Sequence, residues 1–407
     1  MTIQFFAPRY LDIGAGAVTR IADLLARLGV SAPLIVTDPM MVKLGLIKRL
    51  TDPLDQAGIK YIVFSDTVPE PVDTVIDAGV ALARGSAIAR ARSAPTIARA
   101  RSAPTIDCLI GFGGGSPIDT AKAINILLAA EPGTKLRNFK VPFSADHAAL
   151  PLIAVPTTAG TGSEATRFTV ITDTQTDEKM LIGGLGALPV AALVDFELTL
   201  SVPARTTADT GIDAFTHALE ALVSRRAGPI SDGYARTALA LIGPNLRRAY
   251  HTPSDRPARE AMMLGATLAG LAFSNASVAL VHGMSRPIGA HFHVPHGLSN
   301  AMLLPAITAY SLSAALPRYA EAARLAGFAP QAASDQAAGE ALVAELAALN
   351  RDLAVPTPAA FGIDPQQWQA RSGIMAEQAL ASGSPANNPA IPDAQAIIEL
   401  YKQVYAG

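Results

Sequence analysis

Cys108-Leu-Ile-Gly-Phe-Gly-Gly-Gly-Ser-Pro-Ile-Asp-Thr120 decides how the first half of the chain is read. A short apolar run enters a glycine cluster, and residues 117 to about 128 continue with helical spacing. A strand that turns through glycines into a helix offers an anion two things: backbone that can approach closely, and a helix N-terminus whose unpaired N–H groups attract negative charge. Ser116 suits a helix cap and Pro117 a first turn. The string is neither GxGxxG nor a P-loop, since no Gly-Lys-Ser/Thr follows. A pyrophosphate cradle and a plain tight turn both fit it.

Working outward, residues 32–38 read as a buried strand ending in Asp38, residues 40–57 as a helix, 60–64 as a strand, 72–83 as a helix and 152–156 as a strand. This β-α-β-α rhythm predicts a mostly parallel sheet covered on both faces. Later, Ala/Leu-rich helical patterns take over, at 209–224, 231–248, 256–273 and 312–325. The expected organisation is an α/β domain over residues 1–200 and an all-helical domain over 201–407, with the boundary near 195–203. One segment is foreign to this rhythm: ARARSAPTI at 89–97 is repeated letter for letter at 98–106. Nine residues are too few for a solenoid repeat, so the expectation is a tolerated surface insertion.

The chain has 407 residues, a formal net charge of −2, 50% hydrophobic and 16% charged residues. Near-neutrality argues against an electrostatic grip on nucleic acid or on an anionic membrane. The apolar content supports large cores. A single cysteine, Cys108, excludes an internal disulfide framework and a cysteine-cage metal site. The first residues show no basic segment leading into an apolar core, so no signal peptide is expected. Residues 261–281 are uncharged and of bilayer length, but they carry Gly265, Thr267, Gly270, Ser274, Asn275 and Ser277 and run into His282. They read as one buried helix delivering a polar end to a site, in a soluble cytoplasmic protein.

Three groups of residues suggest chemistry. Asp38, at a strand end, could accept bonds from ribose hydroxyls and repel a 2′-phosphate, favouring NAD, or it could simply cap a helix ahead of Pro39. PTTAGTGSE at 156–164 is a small-residue loop after a strand, able to line a ligand crevice or to serve as a polar turn. Finally, four of the seven histidines (His282, His291, His293 and His296) crowd into fifteen residues, while Asp213 and His217 stand at i and i+4, on one helical face. Unpartnered buried imidazoles are costly. A carboxylate-and-imidazole donor set without thiolate suits Fe(II), Zn(II) or Mn(II).

Taken together, GGGSPIDTAKAI (113–124), PTTAGTGSE (156–164), GIDAFTHALEA (211–221) and HGMSRPIGAHFHVPHG (282–297) resemble the iron-containing (group III) alcohol dehydrogenase family, nearly end to end. The resemblance implies an α/β dinucleotide-binding domain joined to an all-α domain, with the site in the cleft between. It implies Asp213, His217, His282 and His296 as ligands of a metal, Fe(II) first, and Asp38, Gly113, Gly114, Gly115, Ser116, Asp119, Thr157, Thr158, Thr161 and Lys179 as NAD contacts. It further implies a homo-oligomer acting on a small alcohol or aldehyde. Two positions depart from the family: Glu70 stands where Asn is frequent, and Arg286 where many members have a histidine credited with proton relay. Arg286 and His293 are therefore the candidate catalytic residues, with His291, or a ribose hydroxyl and water, as alternative relays.

The expected activity is NAD-dependent, metal-assisted interconversion of an alcohol and its carbonyl. Competing readings are a hydroxyacid–oxoacid transhydrogenase with tightly held NAD, a lyase of the dehydroquinate synthase type, and a non-catalytic relative. Residues 213–296 contain no lysine for a phosphorylated, carboxylated substrate, which counts against the lyase.

Overall fold

Eight strands form two sheets in the computed structural model, which describes residues 3–85 and 106–406. The strands are β1 (Tyr10–Ile13), β2 (Pro33–Val36), β3 (Ile62–Phe64), β4 (Cys108–Gly113), β5 (Leu152–Pro156), β6 (Phe168–Asp173), β7 (Glu178–Gly183) and β8 (Ala191–Val194). Six of them make one sheet in the order β1-β8-β5-β4-β2-β3, every neighbouring pair parallel. Between the strands run α1 (Ile21–Leu28), α2 (Pro39–Lys43), α3 (Lys48–Gln56), α4 (Asp73–Gly85) and α5 (Gly115–Ala129).

The apolar runs are continuous because both sheet faces are covered. Successive side chains point to opposite faces, so Leu34, Val36 and Leu109 join a core with Ile76 of α4 and Ile124 of α5. Ile35, Cys108, Ile110 and Phe112 join another with Leu25 of α1 and Leu50 of α3. Residues 40–57 form two helices, not one, because Gly45 takes a left-handed φ of +69° between them. The sequence reading did not single out β1, whose YLDI is partly exposed, nor β8, nor the antiparallel β6–β7 hairpin. The helix after the glycines starts at Gly115 with Gly114 as its cap residue, so Ser116 lies inside the first turn and does not cap it. Of the repeated segment, residues 89–105 lie outside the described residues.

This sheet belongs to a unit made of Ala7–Thr157 and Ser163–Leu198. The second unit takes the chain from Thr199 onward, the first residues through Phe6, and also the short segment Thr158–Gly162. Its helices are α6 (Ala204–Val223), α7 (Pro229–His251), α8 (Arg256–Ala276), α9 (Leu280–Phe292), α10 (His296–Ser311), α11 (Leu316–Leu325), α12 (Asp335–Asp352), α13 (Pro358–Phe361), α14 (Pro365–Ala381) and α15 (Ala394–Ala406). Gly162 explains why the short segment belongs here: its φ is +60°, and a Cβ on it would lie 2.6 Å from the Gly270 Cα of α8.

Residues 261–281 do not form the single helix that their composition suggests. The helix breaks after Ala276, where Ser277 has φ +67°, and α8 and α9 meet at 102°. Among the described residues no single helix is long and apolar enough to cross a membrane, although this bent pair passes by length and composition together.

Candidate functional site

The polar centre of the helical unit begins on α6. Every residue of this helix from Gly211 to Val223 is buried. Asp213 and His217, one turn apart, are 1% and 4% exposed. His282, in the first turn of α9, and His296, the first residue of α10, come to the same place. One donor atom from each of these four residues lies within 4.8 Å of all the others. The Asp213 Oδ1 is 3.4 Å from His282 Nε2 and 3.8 Å from the Nε2 atoms of both His217 and His296. A tetrahedral shell with bonds of ~2.1 Å has edges of about 3.4 Å, so this spacing fits a divalent cation such as Zn(II) or Fe(II).

The surroundings aim these atoms. Glu220, one turn beyond His217, is 3% exposed and lies 2.7 Å from His282 Nδ1. It also accepts from the N–H groups of Ala279 and Val281, at 2.9 and 2.6 Å. Those amides belong to the start of α9, so one carboxylate both satisfies the new helix end and, with Nδ1–H as donor, turns the His282 Nε2 lone pair toward Asp213. The His217 ring is stacked on Phe273 of α8 at 4.1 Å and on His282 at 4.5 Å. Asn300 of α10 donates from Nδ2 to Asp213 Oδ1 at 2.7 Å, with the His282 and His296 Nε2 atoms 3.1 and 3.3 Å from the same nitrogen. One amide cannot donate to three acceptors at once, and a set of lone pairs converging this closely suits a cation better than it suits protons.

Electrostatics favour the ligating form of two of these donors, Asp213 and His217, and the protonated form of His282. Burial alone would raise the Asp213 carboxyl, but His217, His296 and His282 hold it well below the usual range. Burial draws His217 down to about 4, against the pull of Asp213, so its imidazole is neutral and free to ligate at pH 7. In His282 the same burial penalty is outweighed by Glu220 and Asp213, and its pKa is raised.

Other sequence candidates fall elsewhere. His293 is exposed, in a left-handed conformation (φ 55°) at the end of α9, and is not among the four converging residues. His291 is engaged at both nitrogens, 2.9 Å from Gln378 Oε1 and 3.3 Å from Arg371 Nη1. Arg286 stands one turn after His282 and donates from Nη1 to Ser384 Oγ at 2.9 Å. Burial draws it down to about 10, so it remains cationic at neutral pH and acts as a fixed charge.

The second polar centre lies at the C-terminal ends of β2, β4 and β5, in the sheet unit. Asp38 precedes the glycine loop in sequence, the reverse of the usual dinucleotide order, and the topology explains why. β2 and β4 are neighbours, with Val36 opposite Gly111, and the chain leaves them in opposite directions, β2 toward β3 and β4 toward β5. Ligands of open α/β sheets bind at such a switch point. Asp38 Oδ1 caps α2 by accepting from Met41 N at 2.9 Å, and Oδ2 lies 3.4 Å from where a Gly113 Cβ would sit. Gly113 has φ +146°, and that Cβ would come within 2.5 Å of Pro117, so only glycine fits. Gly114, Gly115 and Ser116 are half-buried, and no side chain caps α5, which leaves its first-turn N–H groups for an anion.

Thr157 is buried, its N–H donating to Gly113 O at 2.8 Å. Thr158 and Thr161 lie in the segment that belongs to the helical unit and are half-buried. The Asp119 carboxylate is committed to protein: it accepts from Ser163 Oγ at 2.6 Å and Val170 N at 2.9 Å, tying β6 to α5. Lys179 on β7, 7% exposed, pairs with Glu70 at 2.6 Å, and Glu70 sits in a left-handed conformation, φ 56°. Sequence reasoning did not single out Glu220, Asn300 or Ser384. The first two carried a signal: Glu220 follows His217 by one helical turn, and Asn300 follows His296 by four residues.

Comparison with known proteins identifies the family of both halves of the chain. Residues 8–196 match the family described as "Iron-containing alcohol dehydrogenase", and residues 207–405 match "Fe-containing alcohol dehydrogenase family, C-terminal". The chain is 39% identical over 359 residues to long-chain-alcohol dehydrogenase 1 of Geobacillus thermodenitrificans, covering 88% of this chain and 86% of that one. It is 33% identical to lactaldehyde reductase of Escherichia coli, covering 95% and 96%. Among solved structures, a 1,3-propanediol oxidoreductase superposes with a TM-score of 0.89 at 32% identity over the whole of both chains. With both halves matched, the chain belongs to the iron-containing alcohol dehydrogenase family.

Proposed function

We propose that this alcohol/aldehyde oxidoreductase uses NAD as its hydride acceptor and Fe(II) as its metal, the ion held by Asp213, His217, His282 and His296. The observation that carries the reading is the convergence of those four donors within 4.8 Å in a buried helical centre. One carboxylate and three neutral imidazoles leave a dication about one unit of positive charge. Such an ion supplies Lewis acidity that stabilises charge developing on the substrate's oxygen. NAD supplies the carbon that takes up or gives back the hydride.

The chain's own residues do the rest. Gly113, Gly114, Gly115 and Ser116 present backbone N–H groups at the start of α5 to the pyrophosphate. Asp38 Oδ2, beside Gly113, accepts from ribose hydroxyls and repels a 2′-phosphate, which favours NAD over NADP. Thr157, Thr158, Thr161 and Lys179 complete the cofactor contacts, and Asp119 acts by fixing β6 against α5. Glu220 orients His282. His293, exposed, exchanges protons with solvent. The names of the relatives support short and long alcohols and their aldehydes as the substrate class. A homo-oligomer in the cytoplasm completes the reading, on the family resemblance.

The test pairs elemental analysis of anaerobically purified protein with absorbance at 340 nm in the presence of NAD and a panel of alcohols. About one iron per chain together with NADH formation is the expected result. Turnover undiminished after complete removal of metal would overturn the metal's role.

A further inference from the structure

Arg286 is a cation without a counterion beside the metal-ligand cluster. His282 and Arg286 are at i and i+4 on α9, so both side chains leave the same helical face, about 6 Å apart along the axis. A guanidinium carries five N–H donors. Among the described residues the single protein acceptor is Ser384 Oγ, and no carboxylate lies within 4.0 Å. The acidic group whose charge reaches Arg286 is Glu220, already committed to Ala279 N, Val281 N and His282 Nδ1.

Other partly buried arginines are satisfied differently. Arg318 reaches Asp232, and Arg205 reaches Asp209. Arg259 has no carboxylate, but it is sealed at 3% exposure and answered by Pro253 O and Thr207 Oγ1. Arg286 keeps partial exposure and most of its donors unused. A purely structural arginine bound to one serine would waste this desolvated, forked charge, whereas a carboxylate would take two of its N–H groups side by side.

We infer that Arg286 receives the anionic end of a bifunctional substrate, so that the enzyme's carbonyl substrates are short oxo acids, and its alcohols the matching hydroxy acids, in preference to neutral aldehydes. The inference rests on the oxidoreductase reading above, in which the carbonyl oxygen is placed at the metal-ligand cluster. A chain of a few carbons then spans from that oxygen to the guanidinium one helical turn away.

The probe pair is 4-oxobutanoate and butanal, which have the same carbon count and differ in the terminal carboxylate. NADH consumption by the metal-loaded enzyme should give kcat/KM at least about 10-fold higher for 4-oxobutanoate, as expected for one charge-assisted bidentate contact. In Arg286→Gln the ratio should fall to about 1, mainly through the KM for 4-oxobutanoate, and Arg286→Lys should restore part of it. Succinate, which cannot react, should raise the Tm of the wild type and not that of Arg286→Gln. Equal or better use of butanal by the wild type, or a ratio unmoved in Arg286→Gln, would overturn the inference. If neither aldehyde is reduced, the oxidoreductase reading fails on its own, and the succinate shift still decides whether Arg286 binds an anion.

Discussion

The two polar centres of this protein are made of opposite materials. In the helical unit the site is side chain: one carboxylate and three imidazoles carried by α6, α9 and α10, aimed by Glu220 and Asn300. In the sheet unit it is backbone: the strand ends of β2, β4 and β5 and the uncapped start of α5, with Gly113 leaving room where a Cβ would collide. A side-chain site concentrates its chemistry in a few atoms and fails when one is removed. A backbone site spreads its donors over many residues and fails only where the chain's path is altered. His282→Ala is the sharpest test of this difference. It should lose bound metal and at least about 10³-fold in kcat/KM, the scale of removing a group that fixes the reactive centre, while circular dichroism stays native. Metal content and turnover retained without His282 would break the contrast at its stronger end.

In the sheet unit, Gly113→Ala is the corresponding experiment, since substituting Gly114, Gly115 or Ser116 leaves the backbone donors in place. Forcing a side chain into φ +146°, within 2.5 Å of Pro117, costs about 1–3 kcal/mol of local strain. The chain must shift either the loop or α5 to relieve it. NADH binding, followed by its fluorescence, should weaken by about 10-fold or more, with a matching fall in stability to denaturant. Ser116→Ala, which removes a hydroxyl that caps nothing, should change binding by less than about 3-fold. If the serine proves the more damaging, the cradle is built from side chains after all.

The contrast also marks what could be read in advance. The β4–α5 junction was legible because its signals are local: an apolar run, a glycine cluster and a helical pattern in adjacent residues. The four converging residues were legible in part through scarcity, since few histidines exist and most are crowded together, but the choice of His282 and His296 over His291 and His293 came from the family resemblance. Three other features are consequences of tertiary structure. The break at Ser277 depends on Glu220 taking up the free amides of Ala279 and Val281, some sixty residues away in sequence. The adjacency of Asp38 to Gly113 depends on β3 being an edge strand, which places β2 beside β4. The isolation of Arg286 consists of partners that are missing, and a sequence does not display an absence.

Glu220→Gln probes the material between the two extremes, a residue that touches neither substrate nor metal and acts through His282. Glu220 takes Ala279 N and Val281 N on separate oxygens, so the single amide oxygen keeps one of these bonds and the loss of the other costs about 1–3 kcal/mol, which the fold should survive. What it loses is the charge that holds the His282 Nδ1 proton, and outer partners of this kind are worth about 10–100-fold in metal affinity. Competition against a chelator measures that loss directly. An unchanged affinity would mean that Glu220 serves α9 as a helix-end cap and nothing more.

The smallest effect separates the two ends of β4 itself. Gly113 ends the strand at the proposed cofactor cradle; Cys108 begins it, 0% exposed in the core. Burial, with the nearby Asp107 charge, pushes the Cys108 thiol far above its ordinary 9.0. An acid whose folded pKa is raised contributes stability in full below its unfolded pKa and loses it progressively above, because the unfolded thiol ionises while the folded one cannot. Between pH 8 and pH 10 the wild type should therefore lose roughly 1 kcal/mol more than Cys108→Ala, read as the difference between their denaturation midpoints. In the same range an alkylating reagent should leave the folded thiol untouched, since the reactive form is the thiolate. A thiol that alkylates at pH 8 in the folded enzyme would show that the start of β4 opens to solvent, and the distinction between a sealed strand and an open loop would then rest on Gly113 alone.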